Sequence, residues 1–87
     1  MSDDLIERVR KAIASSKRIA LETVTIDSEF QQLGIDSMDA VEILFAIENE
    51  FEINIPDEEV REVRTVRQMC EGIEKLVAAK AAGAAGE

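Results

Sequence analysis

Histidine, tryptophan and tyrosine are absent from this chain of 87 residues, and its only aromatics are three phenylalanines. The commonest general base at neutral pH is therefore missing, together with two side chains that dominate recognition surfaces. The single cysteine, Cys70, cannot close an internal disulfide. With no histidine beside it there is no zinc-ligand set, and no metal site is expected. No apolar run reaches the roughly 18 residues of a membrane span. The amino terminus, Ser2-Asp3-Asp4, is acidic where a secretory leader would be basic. A cytoplasmic chain in a reducing setting is expected. It is not expected to be an enzyme, because one domain of this length buries only about 60% of its unfolded surface, too little for a deep catalytic cavity.

Basic residues are also missing, but only from the middle. Of a net charge of −9, residues 21–60 carry twelve acidic groups and no basic one. Residues 1–20 hold five bases against three acids, and residues 61–87 five against four. An acidic block of this kind repels nucleic acid and anionic membrane and steers basic partners toward itself. On charge alone, a merely solvated acidic face explains it as well.

What is present is helical periodicity. Leu5, Ile6, Val9 and Ile13 recur at helical spacing behind Asp3, Asp4 and Glu7, acids that suit the positive end of a helix dipole. A first helix from Asp3 to Ser16 is predicted. Residues 17–32 show no sustained period. Val24, Thr25 and Ile26 favour strand, but no second strand exists to pair with them, so the segment reads as a long loop pinned by Ile19, Leu21, Val24, Ile26 and Phe30. A second helix runs from Ser37 to Phe51. Pro56 suits the first position of a short third helix ending at Glu62, with Asp57, Glu58 and Glu59 in its opening turn. Thr65 and Gln68 form a capping box for a fourth helix striped with Val66, Met69, Cys70, Ile73, Leu76 and Val77. Cys70 on that stripe reads as a buried small hydrophobe. The expected fold is all-α: a small four-helix bundle of three longer helices and one short third helix, with a long loop between helices one and two. Residues 1–80 form the domain, and the alanine- and glycine-rich residues 81–87 form a flexible tail.

The second helix has two apolar faces. At about 100° per residue, Ala40, Ile43, Leu44, Ile47 and Phe51 share one arc, while Met38, Val41 and Phe45 fall on the opposite side. Asp39, Glu42 and Glu48 flank that second stripe, and such acids are rarely buried unpaired. Met38, Asp39, Val41, Glu42, Phe45 and Glu48 are thus the candidate partner-recognition surface, the apolar stripe giving affinity and the acids giving on-rate and selectivity. Lysine at Glu42 and Glu48 is expected to weaken docking with little loss of fold.

The helix begins at Leu33-Gly34-Ile35-Asp36-Ser37-Met38. An Asp-Ser pair before a helix is ordinarily a cap worth about 1 kcal/mol. Here it is joined by the acidic helix behind it, by Phe51 and by Ile55-Pro56-Asp57-Glu58-Glu59. Together these resemble the acyl carrier proteins, over about Asp3 to Lys80. The resemblance implies that Ser37 is esterified by 4′-phosphopantetheine from coenzyme A, making the chain a phosphoprotein, with Asp36 orienting the site for a separate phosphopantetheinyl transferase. The arm's thiol would carry acyl groups as thioesters to acyl-transferring, condensing or modifying enzymes with basic docking patches. It also implies shelter for the acyl chain between helices, where Ile55, Val60 and Val63 are candidates for the lining; a plain core role fits them equally. No nucleic acid partner and no membrane span are expected, and the chain reads as a monomer.

Three departures bear on the pathway. Gln32 and Asn49 stand where carriers of fatty-acid synthesis have acids, and Arg61, Arg64 and Arg67 cluster beyond the acidic block. The wording around Ser37 is closer to carriers of polyketide or specialised pathways. The arginines are expected to pair with Glu58, Glu59 or Glu62. A peptidyl or aminoacyl carrier, or an acidic helical adaptor with no covalent group, stays open at this point; a calcium-binding loop does not, for lack of its ligand pattern.

Overall fold

The computed structural model describes residues 3–83. Four helices carry them: α1 (Asp3–Lys17), α2 (Ser37–Phe51), α3 (Asp57–Glu62) and α4 (Val66–Gly83). The all-α bundle with one short helix is the architecture that the apolar spacing implied. Leu5, Val9 and Ile13 of α1, Ile43 and Ile47 of α2, and Val66, Met69, Cys70 and Ile73 of α4 make the shared core. Each fully buried aliphatic side chain of this size removes about 1.5–3 kcal/mol of unfavourable hydration. Helix α1 packs on both α2 and α4, so the central acidic helix is held from behind and free in front.

The long loop is fastened by more than apolar contact. Arg18 ends α1 in the left-handed region at φ 60°, and Leu21–Thr23 forms one 3-10 turn just before the strand-favouring Val24, Thr25 and Ile26. The Arg10 guanidinium, rising from α1, donates to the carbonyls of Leu21 and Val24 and holds that turn over the buried Val24 side chain. Further along, the Ile26 and Ser28 carbonyls accept from the Arg67 and Val66 amides at 2.9 and 3.0 Å. Those amides open α4 and have no partner within the helix, so the loop doubles as its cap. The predicted capping box supplies the rest: the Gln68 amide donates to Thr65 Oγ1, and Gln68 Oε1 accepts from the Thr65 amide, each at 3.2 Å.

Three boundaries moved, the first being the end of α1, which lies at Lys17, one place past Ser16. Pro56 lies one place outside α3 as its N-cap, with ψ 145°, because its carbonyl receives the Glu59 and Val60 amides that start the helix. Helix α4 continues past residue 80 to Gly83, since alanine is the best helix former and Ala81 and Ala82 need no docking to extend it. Residues 84–87, the remainder of the expected tail, lie outside the described residues.

Candidate functional site

The polypeptide reaches the start of α2 through a turn that only glycine makes without strain. Gly34 has φ 74°, and Ile35 donates back to the Phe30 carbonyl at 3.0 Å. Asp36 then takes the N-cap in extended conformation. Its Oδ1 accepts from the Asp39 amide at 2.9 Å, while Asp39 Oδ2 accepts from the Asp36 amide at 3.3 Å. Capping therefore falls to the aspartate pair. Ser37, the first helical residue, is exposed, and its hydroxyl has no hydrogen-bond partner among the described residues.

Asp39 has a second partner. Lys17 at the end of α1 places Nζ 2.9 Å from Asp39 Oδ2. The hydrogen bond to Lys17, aided by the Asp36 amide, holds the Asp39 carboxyl below its usual range, and the same bond raises the Lys17 ammonium. Asp39 is therefore ion-paired and partly exposed. Glu48 is tied as well. Its carbonyl receives the amides of Glu52 and Ile53, its carboxylate receives that of Ile55 at 2.9 Å, and Glu52 closes α2 at φ 54°. Replacing Glu48 thus threatens the turn into α3, against the expectation of little loss of fold. Glu42 remains exposed and outside any such bond.

The other candidate recognition residues stand out in front. Met38, Val41 and Phe45 are 75%, 48% and 58% exposed, a continuous apolar stripe beginning one residue past Ser37. Behind Ser37 a cavity of about 220 Å³ opens between the helices, walled by Ile35, Ala40, Leu44, Val60, Val63 and Met69. Leu44, Val60, Val63 and Met69 also line an adjoining, smaller cavity of about 20 Å³, where Ile55, Glu59 and Ile73 join them. Val60 and Val63 thus share a cavity with the serine, and Ile55 lines the adjoining one. Sequence reasoning passed over Leu44 and Met69 as lining and Lys17 as a partner of Asp39. Their apolar or basic character was visible, but nothing in the spacing ties residues 22 or more positions apart.

The arginines did not pair as expected. Arg67 reaches Asp27 at 2.7 Å, an ion pair that raises the guanidinium further, while Arg61 and Arg64 are exposed and bonded to none of Glu58, Glu59 and Glu62. Cys70 is fully buried, and burial pushes its thiol up to about 11. Among the described residues there is no metal-ligating cluster and no helix long and apolar enough to cross a membrane.

Against known proteins, the family described as the phosphopantetheine attachment site matches residues 7–73. The chain belongs to the acyl carrier protein family. It is 43% identical over 72 residues to an acyl carrier protein of Treponema denticola, covering 82% of this chain and 92% of that one. With an acyl carrier protein of Treponema pallidum it shares 41% over 76 residues, 86% of this chain and 97% of the relative. With that of Trieres chinensis it shares 36% over 75 residues, 85% and 94%. The chain is therefore a carrier and not a catalyst, and its cofactor is covalent 4′-phosphopantetheine. An unbonded, exposed hydroxyl at a helix start fits such a group, since the positive end of α2 suits a phosphodiester. Lys17 offsets the Asp39 charge that would otherwise oppose it.

Proposed function

We propose that Ser37 is the attachment residue, and that the carrier presents acyl intermediates to enzymes of fatty-acid, polyketide or related lipid biosynthesis. The observation that carries this is the division of work between neighbours: Asp36 caps α2, and Ser37 is left exposed and unbonded at the mouth of an apolar cavity. When bound, the arm supplies a thioester, whose acidic α-position and reactive carbonyl serve many enzymes in turn.

The chain's own residues address and shelter. Asp36 and Gly34 fix the backbone that holds the Ser37 hydroxyl out to a phosphopantetheinyl transferase. Met38, Val41 and Phe45, with Glu42 beside them, form a docking face for enzymes with apolar pockets in basic surroundings. The cavity wall is apolar, which favours acyl cargo over charged aminoacyl cargo. The carrier unit includes all of α4 to Gly83, and works as a cytoplasmic monomer. Gln32, Asn49 and the exposed Arg61 and Arg64, which have no ion pair among the described residues, support a pathway other than housekeeping fatty-acid synthesis.

Incubation with coenzyme A and a broad-specificity transferase should add one phosphopantetheine mass to the wild type and none to Ser37→Ala. No gain, or the same gain in both, refutes the assignment.

A further inference from the structure

Arg8, Arg10 and Arg67 each commit a guanidinium inside the chain, to Glu50, to the Leu21 and Val24 carbonyls and to Asp27. Arg61 and Arg64 do not. Both are exposed and without an ion pair among the described residues, although Glu58, Glu59 and Glu62 lie beside them in sequence. Solvated surface arginines are common, so exposure alone decides nothing. Position does. Val60 and Val63, the residues just before the two arginines, line the cavity that opens at Ser37, and Phe30 lines it too. The Arg64 carbonyl accepts from the Phe30 amide at 2.9 Å, and its amide donates to Gln68 Oε1 at 2.7 Å, so the backbone beneath that side chain is fixed. The facing wall of the cavity is α2, through Ala40 and Leu44. The cavity mouth therefore divides surface of two signs. Asp36 and Glu42 stand on the α2 side, and on the other side stand Arg61 and Arg64, with no base between Arg18 and Arg61 in the chain.

Resting on the carrier reading, we infer that Arg61 and Arg64 are a second docking element, and that the enzymes this carrier serves present carboxylates to them beside the basic patch that receives α2. A protein that closes over Ser37 and the cavity mouth meets both signs at once. A planar guanidinium donates two parallel hydrogen bonds to a carboxylate, so the contact has a preferred geometry as well as a charge. An enzyme whose whole face is basic attracts α2 but repels the arginines, and like charges brought together are a means of rejecting wrong partners. The pair acts chiefly on the choice of partner. Affinity for carrier-binding enzymes in general stays with α2.

The test uses the full chain with its arm attached and, as probes, a condensing enzyme chosen for a uniformly basic carrier-docking patch and a form of it with two patch-border lysines changed to glutamate. Surface-plasmon titration at low salt reads the affinities. Arg61→Glu/Arg64→Glu should bind the basic probe about fivefold more tightly than the wild type does, and the glutamate-bordered probe about fivefold more weakly. Arg61→Gln/Arg64→Gln should shift both affinities in the same directions by less, and it carries the test if the glutamate variant folds poorly. Lys75→Glu/Lys80→Glu makes the same change of net charge at exposed sites on α4, and should move either affinity by less than about twofold. Affinities for both probes unchanged by arginine replacement, or shifts of equal size in the lysine variant, would overturn the inference while the carrier assignment stands. Self-association of the wild type that the arginine variants lose would overturn it too, since the acidic partner would then be a second copy of this chain. No mass gain on incubation with coenzyme A and the transferase would remove the carrier reading itself, and the inference with it.

Discussion

Lys17, the last residue of α1, sets its ammonium 2.9 Å from the Asp39 carboxylate in the first turn of α2, so the end of one helix is tied to the start of the next across the whole loop. The tie lies directly behind Ser37. It aligns the capping pair Asp36–Asp39 and removes one negative charge from the neighbourhood of the serine hydroxyl.

Stability should respond to pH through this pair at both ends of the scale. Asp39 titrates below its ordinary value in the folded chain, so its contribution is complete above the unfolded carboxyl range and is lost as pH falls through the lowered value. Lys17 titrates above its ordinary value, so its contribution is complete below the unfolded ammonium range and is lost as pH rises through the raised one. The pair's own contribution should be flat between these limits, and Asp39→Asn should lower the plateau and weaken the acid limb. An unchanged acid limb in that variant would show the pair to be energetically silent.

Gly34→Ala should destabilise by about 1–2 kcal/mol, since φ 74° forces an alanine into the left-handed region. Space is not the obstacle, because an added Cβ would meet only the Lys17 side chain at ordinary contact distance, 3.7 Å. Denaturant midpoints check this, and loss of phosphopantetheine acceptance should accompany any shift in the Asp36 cap.

Phe45→Ala should leave stability within about 0.5 kcal/mol, its side chain being mostly in solvent. Docking to an enzyme of the pathway should fall roughly tenfold or more. Glu48→Ala should do the reverse, costing about 1 kcal/mol of stability by stripping the Ile55 amide of its acceptor. Calorimetry for stability and surface-plasmon titration for binding separate the two effects.

Cys70 should be inert to thiol reagents near pH 8 in the folded protein and react promptly once unfolded, because burial keeps the thiol protonated up to about 11. Attachment of the unacylated arm should add one fast-reacting thiol over the slow background of Cys70. As pH rises past the range of a free thiol, the unfolded chain releases its proton first, and stability should decline toward pH 11. Cys70→Ala should flatten that decline.

The helices were legible because each is one turn after another of the same local rule. Leu5, Val9 and Ile13 repeat at helical spacing, Thr65 and Gln68 sit at capping distance, and both faces of α2 follow from its period. What stayed hidden are bonds between residues distant in the chain: Arg10 to Leu21 and Val24, Lys17 to Asp39, and the Ile26 and Ser28 carbonyls to α4. Each depends on how two elements are placed, which no periodicity encodes. Asp39 and Glu48 show the same limit within one helix, where exposure on a wheel said nothing about a partner arriving from elsewhere.

The assignment of the α2 cap to Asp36, one residue before the serine, has a consequence for repeated use. Had the serine oxygen itself closed the helix, every gain or loss of a substituent there would also be a partial unfolding and refolding step. With the neighbour holding the helix shut, the hydroxyl can exchange its substituent while the body behind it keeps one shape. If Ser37 is the attachment residue as proposed, attachment and folding are then independent equilibria, and gaining or losing a group at the hydroxyl leaves the start of α2 unchanged.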